Sequence, residues 1–64
     1  RSQIADYIKI NFPNNGDLFV PQTPIYLSNV HDGDYGFKVP VVDFNNHKEL
    51  FILYIDGKTG SITD

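Results

Sequence analysis

The chain contains no cysteine, methionine or tryptophan, and it has only five basic residues. Without cysteine there can be no disulfide, no thiolate metal site and no cysteine nucleophile. The basic residues form no stripe, so the phosphate contacts that dominate nucleic-acid binding are missing. The longest apolar run, residues 50–55, has six residues, whereas a membrane-spanning helix needs about 20. These absences argue against a disulfide-bonded protein, a thiolate metalloprotein, a nucleic-acid-binding protein and a protein with a membrane-spanning helix.

The apolar residues that are present favour β-structure. There are seven Ile, five Val, five Phe and four Tyr but only one Ala among 64 residues, and one Glu. β-Branched and aromatic side chains pack well on a pleated surface, whereas helical bundles use Ala, Leu and Glu. We therefore expect a single small domain over residues 1–64 with more strand than helix. A chain without methionine is also expected to be a processed or excised piece.

One segment has helical periodicity. Ile4, Ile8 and Phe12 recur every four residues, Ser2 is a candidate N-cap, and Pro13 ends the pattern. This predicts one helix over residues 2–11.

The remainder of the chain alternates as strands separated by turns rich in Gly, Asn and Pro. Residues 49–56 should form a central strand, and Pro40 should mark an edge position or a bulge. The predicted strands are 17–20, 25–30, 35–44, 49–56 and 61–63. The predicted fold is α+β, with one N-terminal helix packed on a 3–4-stranded antiparallel sheet.

No set of residues indicates catalysis or metal binding. The segment 31–34 (His-Asp-Gly-Asp) lacks the further oxygen ligands of a calcium loop. His47 should lie in a different loop from His31, too distant to share a zinc ion. No serine lies in a nucleophile elbow. We expect no enzyme activity, no metal and no cofactor.

Two segments carry a resemblance to a known family. Residues 35–43 (YGFKVPVVD) and 49–62 (ELFILYIDGKTGSI) resemble the C-terminal hairpin of PepSY-type domains, which occur in peptidase propeptides and in secreted or membrane-attached bacterial proteins. The turn from Tyr54 to Gly60 is similar to the family's Tyr-x-Val-Asp-Ala-Lys-Thr-Gly turn, with Gly57 at the position of the small residue. The Pro- and Asn-rich segment 12–24 and Pro40 depart from the family pattern.

The resemblance implies a non-catalytic domain outside the cytoplasm, secreted or attached to the cell surface, that binds another protein and inhibits or guides a peptidase. It supplies no catalytic residues. An alternative is a small cytosolic inhibitor or immunity protein of a phage or toxin system, since such proteins are also short, acidic and rich in β-structure. A signal peptide upstream would favour the first interpretation, and an initiator methionine directly before Arg1 the second.

The expected contact surface is the sheet face that the helix leaves open, together with loop 31–36. Tyr35 is the first candidate anchor and Tyr26 the second, because a tyrosine offers a large, stiff contact area with a polar tip. Asp32 and Asp34 would pair with basic groups of a protein partner. The alternative is that Tyr35 merely seals a hairpin. We expect no nucleic-acid partner and no membrane-spanning segment.

Overall fold

A single helix and an antiparallel sheet make up the computed structural model, which describes residues 3–31 and 34–64. The elements are helix α1 (Gln3–Asn11), a 3-10 helix (Gly16–Leu18), and strands β1 (Phe19–Pro21), β2 (Ile25–His31), β3 (Asp34–Asp43), β4 (Glu49–Asp56) and β5 (Ile62–Thr63). This confirms the predicted α+β class. Ser2, the predicted N-cap, lies outside the described residues.

The five strands occupy four positions across the sheet. Strands β1 and β2 both pair with β3 along the same side, β1 with residues 41–43 and β2 with residues 34–38. They therefore form one interrupted edge. β4 pairs with the other side of β3, and the two-residue β5 covers only the Tyr54–Ile55 end of β4.

Pro40 lies at the interruption of that edge. Its carbonyl accepts a hydrogen bond of 2.8 Å from the Gln22 N–H, so its nitrogen faces the same side, between β1 and β2. A proline is tolerated there because no strand needs the missing N–H. The register shifts between Val41 and Val42, with the extra residue in β4. A bulge is present, but its extra residue lies in β4 and not in β3 at Pro40 as predicted, and β3 itself is an inner strand and not an edge.

Only the second half of the segment 17–20, predicted as a strand, is extended in the structure. Asp17 and Leu18 belong to the 3-10 helix, and the extended backbone begins at Phe19, whose N–H donates to the Gly16 carbonyl. This hydrogen-bonded turn connects helix α1 to strand β1 at the sheet edge.

The core lies between α1 and one face of the sheet. Ile8, Val39, Val41 and Leu53 are buried. Three rings close one end, with centroids of Phe12 and Phe51 5.0 Å apart and of Phe12 and Phe19 5.2 Å apart. Hence Leu53 lies on the helix side of β4, as do Phe51 and Ile55, which pack against this cluster.

The loops before and after β4 have the same design. In the first, Asp43 Oδ1 accepts hydrogen bonds from the N–H groups of Asn45 and Asn46, and its carbonyl accepts one from His47. In the second, Asp56 makes the corresponding bonds to Lys58, Thr59 and Gly60. Such Asp-initiated turns explain why both hairpins close where the sequence predicts turns.

Candidate binding surface

Tyr35, the first predicted anchor, closes the β4–β5 hairpin. Its hydroxyl donates a hydrogen bond of 2.9 Å to the Gly57 carbonyl, and the Gly57 N–H donates one of 2.9 Å to the Tyr35 carbonyl. The ring lies where a side chain at position 57 would begin. Tyr35 is still 42% exposed. It therefore seals the hairpin, as the alternative interpretation holds, while much of its surface remains accessible to solvent.

Tyr26 extends this ring into an aromatic row. It stacks on Tyr35 at a centroid distance of 6.3 Å and meets the edge of Phe37 at 5.9 Å. Tyr26 is 61% exposed. Such offset and edge-on pairs hold the rings in fixed positions.

The aromatic row is on the helix side of the sheet. Tyr26 lies opposite Phe37, and Phe37 lies opposite Ile55, which packs against the core beneath the helix. Directly opposed residues share a face. Placing the two tyrosines on the face opposite the helix was therefore wrong: they continue the core face beyond the region that the short helix covers. Their role in binding stays a prediction.

Of the two predicted acidic contacts, Asp34 forms an ion pair with Lys58, the ammonium lying 3.6 Å from Oδ1. Both side chains are substantially exposed, so the pair adds little to stability. Asp32 lies outside the described residues. The His31 side chain does too, and within the described residues no group of three or more His, Cys, Asp or Glu side chains is placed to hold a metal ion.

The sheet face opposite the helix is also apolar, but it is formed by residues other than Tyr26 and Tyr35. We call this surface the open face. It consists of Lys38 surrounded by seven apolar side chains of alternating strand positions: Val20, Ile25, Leu27, Pro40, Val42, Ile52 and Tyr54. In residues 3–31 and 34–64 no helix or strand packs against it, and none of these side chains is buried.

Lys38 is the cationic centre of the open face. It lies between Ile25 on one neighbouring strand and Tyr54 on the other. Its side chain is partly buried, as expected when the aliphatic stem lies along apolar neighbours and the ammonium stays in water. No carboxylate of the described residues forms an ion pair with it. The site therefore offers apolar area around one central positive charge, and two carboxylates, Glu49 and Asp56, lie at the ends of the same face opposite Val42 and Gly36.

Sequence reasoning anticipated an open face but missed most of these residues. The run 50–55 is apolar at every position, so alternation separates Leu53 from Ile52 but does not show which of the two lies beneath the helix. A usable signal was the second set of alternating residues on β3. In this set Pro40 lies opposite Ile52, and Val42 lies opposite the β4 bulge.

A small notch of about 170 Å³ lies between α1 and the β1 edge, lined by Ala5, Ile8, Phe19 and Pro21, with Lys9 and Asp17 among its polar lining. Pockets for cofactors and drug-sized ligands usually measure about 300–1,000 Å³. The notch is therefore a weaker candidate than the open face.

Comparisons with protein-family models, curated proteins and solved structures find no match to this chain. The resemblance to PepSY-type domains stays a prediction that rests on the hairpin residues. In the part of the chain described here, no helix has the length and apolar character to cross a membrane.

Proposed function

We propose that this domain is a non-catalytic binding module that covers a site on a partner protein with its open face. The observation that carries the proposal is an apolar sheet face over which the described residues place no helix or strand. Soluble domains rarely leave a contiguous apolar patch exposed unless it binds something. A sheet presents such a patch on a rigid backbone, which lowers the entropic cost of association.

Lys38 defines the chemistry of the partner. An apolar surface bearing one carboxylate would bury the seven apolar side chains and pair with the ammonium at their centre. A charge inside an apolar patch contributes mainly to specificity, because a partner that lacks the opposite charge must bury the ammonium unpaired. The partner surface is therefore apolar and locally acidic.

The resemblance to PepSY-type domains makes a peptidase outside the cytoplasm the first partner to test. The residues that carry the resemblance include Tyr54 of the open face and the hairpin turn that follows it. Inhibition by covering the peptidase needs no catalytic group on the domain.

The experiment is a capture from culture medium and cell-envelope extract of the source organism with four variants in matched pairs. Ile52→Glu is paired with Ile10→Glu, because Ile10 is 77% exposed on α1. Lys38→Glu is paired with Lys9→Glu, because Lys9 is exposed on the same helix. The captured protein is identified, purified and titrated calorimetrically against wild type and all four variants.

We expect tenfold or greater weakening for Ile52→Glu and Lys38→Glu, about 1.4 kcal/mol or more, with wild-type affinity for both helix variants. Wild-type affinity of the two open-face variants, or no captured protein, would contradict the proposal. A captured protein without peptidase activity would contradict its peptidase part alone.

A further inference from the structure

The edge formed by β1 and β2 carries no charge. Residues 18–30 include no Asp, Glu, Lys or Arg, and all thirteen such residues of the chain lie elsewhere. Natural sheets usually protect an exposed edge with charged side chains, especially Lys, because free backbone groups invite another strand. At the other edge, β4 has a bulge near Glu49 and is partly covered by β5. On the β2 edge such protection is confined to the ends of the strand, with Pro24 before it and a register shift between Leu27 and His31, so residues 25–27 form an uncharged, regular stretch.

The backbone of Tyr26 points away from the sheet. The Tyr35 carbonyl bonds toward β4 and the Pro40 carbonyl toward the β1–β2 side, so alternation directs Phe37 toward β4. Tyr26 lies opposite Phe37. In an antiparallel ladder, opposed residues either bond each other or both point away. The N–H and C=O of Tyr26 therefore face outward, where the described chain has no further strand.

Apolar side chains flank this outward backbone on both faces of the sheet. Tyr26 lies on the helix side against Tyr35. Its neighbour Ile25 is 46% exposed on the open face. A strand added here would gain main-chain hydrogen bonds and apolar contacts on both sides, which is the usual combination in β-augmentation.

We propose that the strand bound at this edge is β2 of a second copy, giving a two-fold symmetric dimer. In the antiparallel register centred on Tyr26, this residue exchanges both hydrogen bonds with Tyr26 of the second copy, and Ile25 lies opposite Leu27 of that copy. The edge is thus complementary to itself. Two copies of a chain with net charge −3 repel one another in general. At residues 18–30 they meet without any like charges.

The dimer has a consequence for the open face. A two-fold axis through paired edge strands is perpendicular to the sheet, so both helices lie on one side and both open faces on the other. The two open faces then form one continuous apolar surface. The dimer contact itself does not depend on the function proposed above.

The test is sedimentation equilibrium of the whole chain from micromolar to millimolar concentration. Tyr26→Pro deletes the outward N–H without removing a ladder bond, and Tyr26→Lys adds the missing edge charge. Ile10→Lys adds the same charge on the outer face of α1. Circular dichroism checks that every variant is folded, and Tyr26→Lys stands in if the proline variant unfolds.

We expect wild type and Ile10→Lys to dimerise with equal dissociation constants, and both Tyr26 variants to weaken the dimer tenfold or more. A wild-type monomer at millimolar concentration would overturn the proposal. A strand of another protein would then be the candidate occupant of this edge. A dimer unaffected by Tyr26→Lys would place the contact elsewhere and overturn it too. Ile52→Glu, on the open face, should leave the dimer intact, so failure here is distinct from failure of the proposed function.

Discussion

His47 and Gly60 occupy the same position in two hairpin loops of the same design. Both have left-handed backbone, with φ of 60° and 78°. Each follows an Asp-initiated turn and donates its N–H to the Asp carbonyl. In this region the Cβ of an ordinary residue is crowded, whereas glycine adopts it freely. The first loop therefore carries strain that the second avoids.

Replacing His47 by Gly should relieve this strain. We expect His47→Gly to raise the free energy of unfolding by about 0.5–1 kcal/mol. The reciprocal change, Gly60→Ala, should lower it by about 1 kcal/mol. Urea denaturation followed by circular dichroism measures both. Destabilisation by His47→Gly would show that the imidazole makes a contribution larger than the backbone strain.

The contact of Tyr35 with Gly57 predicts coupling between the two residues. A Cβ at position 57 would overlap the Tyr35 ring, so Gly57→Ala must displace it. We expect Gly57→Ala to lower the free energy of unfolding in wild type by at least about 1 kcal/mol more than it does in a Tyr35→Ala background. Gly16→Ala is the matched control, because its Cβ would meet Ile8 at an ordinary 3.6 Å. Equal costs in the two backgrounds would contradict the contact.

Tyr7 should make stability fall at high pH. Desolvation by partial burial, then the negative charge of Asp64, then the hydrogen bond of 3.4 Å that the hydroxyl donates to Asp64 raise the pKa of Tyr7 above its usual value. Above about pH 10 the unfolded chain loses this proton first. The stability that Tyr7 contributes is therefore complete below the unfolded pKa and is lost as the pH rises through the folded pKa.

The test compares Tyr7→Phe with wild type by urea denaturation from neutral pH to about pH 11. We expect wild type to lose more stability than the variant over the alkaline part of this range. Parallel curves for the two proteins would contradict the assignment.

At the scale of the elements, local patterns were sufficient wherever one face of an element is buried. Ile4, Ile8 and Phe12 predicted the helix, and the turn residues predicted both hairpins around β4. The 3-10 turn at Gly16–Leu18 was missed because a three-residue helix has no periodicity to detect. The shared edge of β1 and β2 was missed because strand pairing is a long-range property that single-strand patterns do not encode.

Strand β4 allows a direct test of which side faces the helix. Leu53 is fully buried, whereas Leu50 is 44% exposed. Leu53→Ala should cost about 2–5 kcal/mol, which approaches the whole stability of a domain this small. Leu50→Ala should cost about 1 kcal/mol or less. Thermal unfolding by circular dichroism compares them, and similar melting temperatures would contradict the assignment of faces.

At the scale of the whole molecule, one helix of nine residues covers part of one sheet face. The sequence predicted that a face would stay open, because a single short helix cannot cover a sheet on both sides. It could not assign Tyr26 to a face, because that depends on the register of β2 against β3. Tyr35 alternates with Phe37, Val39 and Val41, so its own strand pattern already placed it on their face, which the structure shows to be the core face. The structure therefore favours Lys38 and its apolar neighbours over Tyr26 and Tyr35 as the candidate site.

The central claim, that the open face contacts the partner, is tested most directly by site-specific photocrosslinking in the source organism. Benzoylphenylalanine is introduced at Tyr54 on the open face, at Tyr26 on the aromatic row, or at Ile10 on the helix. The account predicts an adduct with a second protein from position 54, and none with that protein from position 10. An adduct from position 10 or 26, with none from position 54, would contradict it.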